Sequence, residues 1–432
     1  MNNRVVITGM GMISCAGTGV EENWSNIVAG RSGIGEVTLC DKERLPVKIA
    51  GEVKGFNPKD YIRDRKALKI MYRNVKLGLA AAKMAYDDSG LENCSVDPHR
   101  FGAIIGSGGG GYDEGPDNKD LADVIKASWD EGNKLFDSSK FGSEGLDRLH
   151  PLWLLKTLCN NLFCYISIYY NAQGVNDNVV TSFAGGSNAI GDAFMAIRRG
   201  DVDVSFAGGY DTLAMASNFF CYYNHNMLTS NSNDGSSFRP FDRDRDGFVL
   251  GEGAGLVILE ELSHAKKRDA KIYGEIVGYG NTSNASHLYE YVPDGSGIAD
   301  AVRKACKIAG INTDAIDYVN VDGLGTIESD IAETRAVKAV FADNAHNITL
   351  SATKPVVAHT GAAAGAMELM ICALAIDRKV VPPTINLTNQ DPDCDLDYCS
   401  GTAREMEINA ALSINQGFGG QNAALIVKKF KD

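Results

Sequence analysis

Several stretches of this 432-residue chain place chemically useful residue types at suggestive spacing. Asp242-Arg-Asp-Arg-Asp246-Gly247, followed by Glu252, has the outline of a calcium loop. The closing carboxylate arrives one residue early, and the flanks read as loop and strand where a calcium hand needs helices. Two arginines inside the loop favour internal ion pairing, so no metal is expected. Gly106–Gly111 follows an apolar run but opens onto no helix with a ribose-binding acid, which argues against a dinucleotide fingerprint. No cofactor is expected. The ten cysteines form no C-x-x-C pair and follow no secretory leader. They read as reduced, mostly buried thiols of a cytoplasmic protein.

The elements that must position any site alternate between short apolar runs and longer helical patterns, the mark of a layered α/β protein. Strands are expected at Val5–Thr8, Ala103–Ile105, Val179–Ser182, Val204–Ala207, Gly255–Leu259, Ile316–Val321, Ile348–Ser351, Ala411–Ile414 and Ala423–Val427. Helices are expected at Val75–Asp88, Gly186–Arg199, Ile298–Ile308, Asp330–Phe341 and Gly365–Asp377. The two comparable series divide the chain into residues 1–262 and 270–432. Residues 108–143, glycine-rich and then charged, read as a long surface excursion. A net charge of −13 excludes nucleic acid or an anionic membrane as the main partner. Leu152–Tyr170 is the most membrane-like stretch, but Lys156, Asn160 and Asn161 interrupt it, so it reads as a buried or interface segment.

Longer motifs then stand in a recognisable order. They are Arg4-Val-Val-Ile-Thr-Gly-Met-Gly-Met-Ile-Ser14, Gly30-Arg-Ser-Gly-Ile34, Phe238-Arg-Pro-Phe-Asp-Arg-Asp-Arg-Asp-Gly-Phe248, Gly251-Glu-Gly-Ala-Gly255, Ala358-His-Thr-Gly-Ala-Ala-Ala-Gly365 and Gly417-Phe-Gly-Gly-Gln-Asn422. Over nearly its whole length the chain resembles the β-ketoacyl-acyl-carrier-protein synthases. The resemblance implies a thiolase-like fold, with two similar α/β halves in a five-layer α-β-α-β-α stack, paired as dimers.

The resemblance also implies a cysteine nucleophile at a strand-to-helix turn and two histidines that stabilise the enolate and oxyanion. In Val180-Thr-Ser-Phe-Ala-Gly-Gly-Ser-Asn-Ala-Ile-Gly191 the cysteine position holds Phe183, which has no lone pair with which to attack. Ser182, beside it on an expected strand, faces away. The first histidine position falls on Asp322, and only His359 remains. Lys354 and Glu368, with Asp330, are expected to form an ion-pair network holding the His359 loop. At the C-terminal turn the gating aromatic is replaced by Gln416, while Phe418 stands.

These departures beside an intact glycine framework point to a chain-length factor without condensing activity of its own. Such a chain is the non-catalytic (β) subunit of a type II polyketide synthase heterodimer or heterotetramer with an active ketosynthase, shaping its tunnel. The alternatives are a starter-unit synthase or malonyl decarboxylase using His359, a ketosynthase-like partner in polyene synthesis, and a binding homodimer. In relatives the region of Arg63, Arg65, Lys66 and Lys69 meets the acyl carrier protein, though these residues read equally as an ordinary solvated helix start, and Leu152–Tyr170 packs across the dimer. Phe163 and Tyr169 are therefore the expected interface and tunnel residues.

Overall fold

The first strand, β1 (Val5–Ser14), is buried at every position, as a strand covered on both faces must be. The computed structural model to which it belongs describes residues 3–108, 120–230 and 234–431. Residues 109–119, which carry most of the expected glycine run and the start of the surface excursion, lie outside the described residues.

Strands β2 (Phe101–Ser107), β3 (Asn176–Val179), β4 (Val204–Thr212) and β5 (Glu252–Glu261) join β1 in the order β3-β2-β4-β5-β1. Strands β6 (Gly274–Ser283), β7 (Tyr318–Asn320), β8 (Thr349–Ser351), β9 (Ala410–Gly417) and β10 (Gln421–Lys428) repeat that order as β8-β7-β9-β10-β6. The outer three strands of each set are parallel and the inner pairings antiparallel. Antiparallel pairing of β1 with β6 at Val5↔Ile276 joins the two sets.

Helix α1 (Arg73–Ser89) covers the outside of the first sheet, and α3 (Ser296–Ala309) with α4 (Ile327–Phe341) covers the outside of the second. Between the sheets α2 (Gly185–Arg199) packs on α5 (Ala364–Arg378). Ala364 through Ile376 are all buried, and a helix apolar all round belongs in an interior. The result is the five-layer thiolase-like arrangement of two similar halves.

Two local readings are corrected. Strand β6 was not among the expected strands, because Gly274, Gly278 and Gly280 dilute its apolar pattern. The strand expected at Val179–Ser182 stops at Val179. Ser182 then takes φ +51°, and the chain turns through Ser182–Ala184 into α2, so Ser182 is not on a strand at all. The Leu152–Tyr170 segment folds as two helices, Trp153–Thr157 and Asn161–Tyr170, the second anchored by buried Leu162 and Ile166. Among the described residues no helix is long and apolar enough to cross a membrane.

Candidate active site

The turn from β3 into α2 sets Phe183 at the head of the central helix, pointing into a cluster of rings. Phe183 is buried, with the imidazole of His359 at 4.1 Å, Phe418 at 4.9 Å, Tyr222 at 6.0 Å and Phe248 at 6.2 Å between ring centroids. Gly417 lets β9 press against this turn. A Cβ there would lie 3.0 Å from the Thr181 carbonyl oxygen and 3.2 Å from the Phe183 nitrogen. The space around residue 183 is thus packed with aromatic rings.

His359 sits in the Ala358–Thr360 link between the helical turn Lys354–Val357 and the Gly361–Ala363 turn before α5. Its Nδ1 accepts the Gly361 N–H at 3.2 Å. Gly361 needs its φ of +60° here, and a Cβ would strike Asp211 Oδ2 at 2.3 Å. Burial, reinforced by Lys354, holds the imidazole well below its ordinary pKa, so the ring is neutral. With Nδ1 as acceptor, the proton of the neutral ring is on Nε2, and that buried N–H has no partner.

Lys354 is fully buried between two carboxylates. Its Nζ donates to Asp322 Oδ1 at 2.8 Å, to the Asp322 carbonyl at 2.7 Å and to Glu368 Oε1 at 2.7 Å. Burial alone would lower the lysine pKa, but the pair of acids carries it above its ordinary value. Glu368 also accepts from Asn415, which in turn accepts from Ser187 on α2, so the network ties the two halves together. Burial pushes Glu368 up to about 7, against the pull of Lys354.

The expected network is therefore corrected in one member. Asp330 is not bound to Lys354; it faces Arg245 Nε at 3.2 Å and accepts the backbone N–H groups of Phe241 and Gly325. Glu333, one turn further along α4, was missed, although its spacing from Asp330 puts it on the same helix face. It accepts the N–H groups of Asp322 at 2.7 Å and Gly323 at 3.0 Å, and burial followed by Asp322 raises its pKa well above the usual range. Tyr222 and Tyr291 were also missed, since neither lies in a motif. Tyr291 keeps a buried hydroxyl with no partner, as does Oδ2 of Asp322.

The remaining expected residues lie apart from this cluster or at its edge. Gln416 is buried on β9 and Phe418 is half-buried in the turn that follows. Arg63, Arg65, Lys66 and Lys69 are all exposed. Phe163 packs on the first-half core and Tyr169 is partly exposed, and neither joins the rings around Phe183 among the described contacts. In the aspartate-rich loop, Asp242 accepts N–H groups from Asp244, Thr388 and Asn389, and Glu252 pairs with Arg73 at 2.6 Å. These acids are satisfied within the protein.

Two family models match the chain: β-ketoacyl synthase, N-terminal domain, over residues 2–265, and β-ketoacyl synthase, C-terminal domain, over residues 273–388. The "3-oxoacyl-[acyl-carrier-protein] synthase 2" of Synechocystis sp. is 37% identical over 99% of this chain and 98% of its own length. The protein of the same name from Coxiella burnetii is 36% identical over 99% of both. Among solved structures, the ishigamide ketosynthase/chain length factor superposes with TM-score 0.88 at 31% identity over 100% of both chains. A β-ketoacyl synthase from Burkholderia phymatum gives 0.86 at 29% identity over 99% of this chain and 100% of its own.

The expectation of a non-catalytic chain-length factor of a type II polyketide synthase, inactive in condensation by itself, is corrected by these comparisons. The curated relatives that match end to end are named 3-oxoacyl-[acyl-carrier-protein] synthase 2. Matched by both domain models and by full-length relatives above 30% identity, this chain belongs to the β-ketoacyl synthase family.

Proposed function

We propose that this chain is a synthase-type enzyme acting on acyl groups borne by an acyl carrier protein, with chemistry that begins at His359 and does not pass through residue 183. The observation that carries this reading is the buried, neutral His359 with its Nε2–H free and its Nδ1 committed to Gly361. A donor held that way suits the carbonyl oxygen of a malonyl thioester. As the carboxylate C–C bond breaks, CO2 leaves and the electron pair moves onto that oxygen, where the N–H stabilises the enolate. The enolate carbon then takes a proton, giving the acetyl thioester. Alternatively it attacks a second carrier-borne thioester, forming a C–C bond and expelling a thiolate that takes up a proton. The second outcome is the 3-oxoacyl product in the name of the relatives. Phe183 supports keeping the acyl group on its carrier, because carbon offers no site for transfer.

Lys354 and Glu368 are positioning residues in this scheme, and Lys354 also offsets the charge of Asp322 next to the enolate. Arg63, Arg65, Lys66 and Lys69 are the proposed contact for the acidic carrier. The exposed apolar face of Leu154, Leu155, Ile168 and Tyr169 is the proposed seat of a second ketosynthase-fold chain. A second copy is favoured over a distinct ketosynthase, because the full-length relatives are named as synthases in themselves.

The test is CO2 release from malonyl-carrier protein, with the acetyl and 3-oxoacyl products followed by mass spectrometry. Turnover that falls by roughly 10²–10³ in His359→Ala is the expected result. No turnover by the wild type, or turnover indifferent to His359, would overturn the reading.

A further inference from the structure

Beside the ring cluster lies a small cavity of about 10 Å³, whose lining includes Asn284, Glu290, Tyr291, Gln416, Phe418 and Asn422. It is the size of one oxygen-bearing group or one water. Gln416 is 3% exposed and Asn422 1%, and the two are directly opposite one another across the β9–β10 ladder. Side chains alternate along β9: Asn415 turns to Ser187 and Glu368, so Gln416 faces the other way, toward this cavity.

Three buried polar atoms here have no partner: Gln416 Nε2, Asn422 Oδ1 and the Tyr291 hydroxyl. Asn422 is held in orientation by its own Nδ2, which donates to Asn284 Oδ1 at 2.8 Å, to the Gly420 carbonyl at 3.1 Å and to Thr282 Oγ1 at 3.3 Å. An amide donor, a carbonyl acceptor and a hydroxyl that can do either, all desolvated, are a poor lining for a plain alkyl chain. Filling the space with methylenes would leave each of them unpaired, and sites of this kind reject the analogue that lacks the matching oxygen.

We propose that Gln416, Tyr291 and Asn422 form a specificity site that reads a keto or hydroxyl oxygen on the carrier-borne acyl chain, so that oxygenated chains are preferred to saturated ones. The amide and phenol donate to a keto oxygen, and with a hydroxyl the Asn422 carbonyl oxygen accepts as well. Phe418, against Phe183 at 4.9 Å, supplies the apolar wall for the carbons next to that oxygen. This inference rests on the carrier-thioester reading above and adds the substrate class.

The experiment measures equilibrium binding of pantetheine amides, in which nitrogen replaces the thioester sulfur, to the full chain by calorimetry. Four-, six- and eight-carbon acyl groups are compared as saturated, 3-hydroxy and 3-oxo forms. At one or more lengths the oxygenated form should bind about tenfold or more tightly than its saturated counterpart. Tyr291→Phe, which removes one hydroxyl, and Gln416→Leu should each bring that ratio to about threefold or below. Equal affinities in the wild type, an unchanged ratio in both variants, or a site that holds ordered water only would overturn the proposal.

Because binding is read without turnover, the two readings separate. Selective binding without CO2 release from malonyl-carrier protein removes the proposed activity and keeps the specificity site. CO2 release without oxygen selectivity does the reverse.

Discussion

The Phe183 ring and the His359 imidazole lie 4.1 Å apart, tilted by 55°, at the meeting of the two halves of the fold. One residue comes from the turn entering α2 and the other from the turn entering α5. The pair sets an unreactive phenyl ring against an imidazole whose buried Nε2 has no partner.

Phe183→Ala should cost about 3–5 kcal/mol of stability, the range for emptying a buried phenylalanine site. Urea denaturation with an unchanged slope is the measurement. A loss near zero would show that the ring is not packed as described.

Lys354→Met leaves Asp322 and Glu368 buried together without their cation, and should destabilise by about 3–5 kcal/mol. Adding Asp322→Asn and Glu368→Gln to that variant should recover part of the loss. Strict additivity of the three changes would mean that the network is not coupled.

Glu333 is buried with its pKa raised well above the ordinary value of 4.5, by burial first and Asp322 second. The folded state therefore holds a proton that the unfolded chain has released, and stability is lost as pH rises above that ordinary value. Glu333→Gln removes this titration, so its stability relative to wild type should improve as pH rises above 4.5. A pH-independent difference between the two proteins would contradict the assignment.

The charge reversals Arg65→Glu and Lys66→Glu, on an exposed segment, should weaken carrier-protein binding, with the wild-type affinity falling as salt is raised. Surface plasmon resonance at two ionic strengths checks this, and salt-independent binding would place the carrier elsewhere.

Leu154 and Ile168 are 64% and 72% exposed, high for aliphatic side chains in one neighbourhood. Leu154→Asp with Ile168→Asp should shift the protein to a smaller species in light scattering. An unchanged mass would mean that this face does not seat a partner.

Sequence alone determined the fold class and the family, because those are carried by local motifs and by apolar periodicity that each element states for itself. Helices α2 and α5 could be read almost to their ends, since buried apolar residues run along each of them up to a charged last turn. Strand β6 could not, because its glycines hide the pattern that its neighbours on both sides enforce.

Tertiary structure decided which acid meets which base. Asp322, Asp330 and Glu333 lie within a dozen residues of one another, and nothing in that spacing says that Lys354 chooses Asp322 while Arg245 takes Asp330. Those choices follow from strand register and helix packing, which set distances between segments far apart in the chain. The same holds for the unpartnered Nε2 of His359 and the cavity behind Gln416. A missing hydrogen bond is a property of everything that surrounds an atom, and only the folded chain contains it.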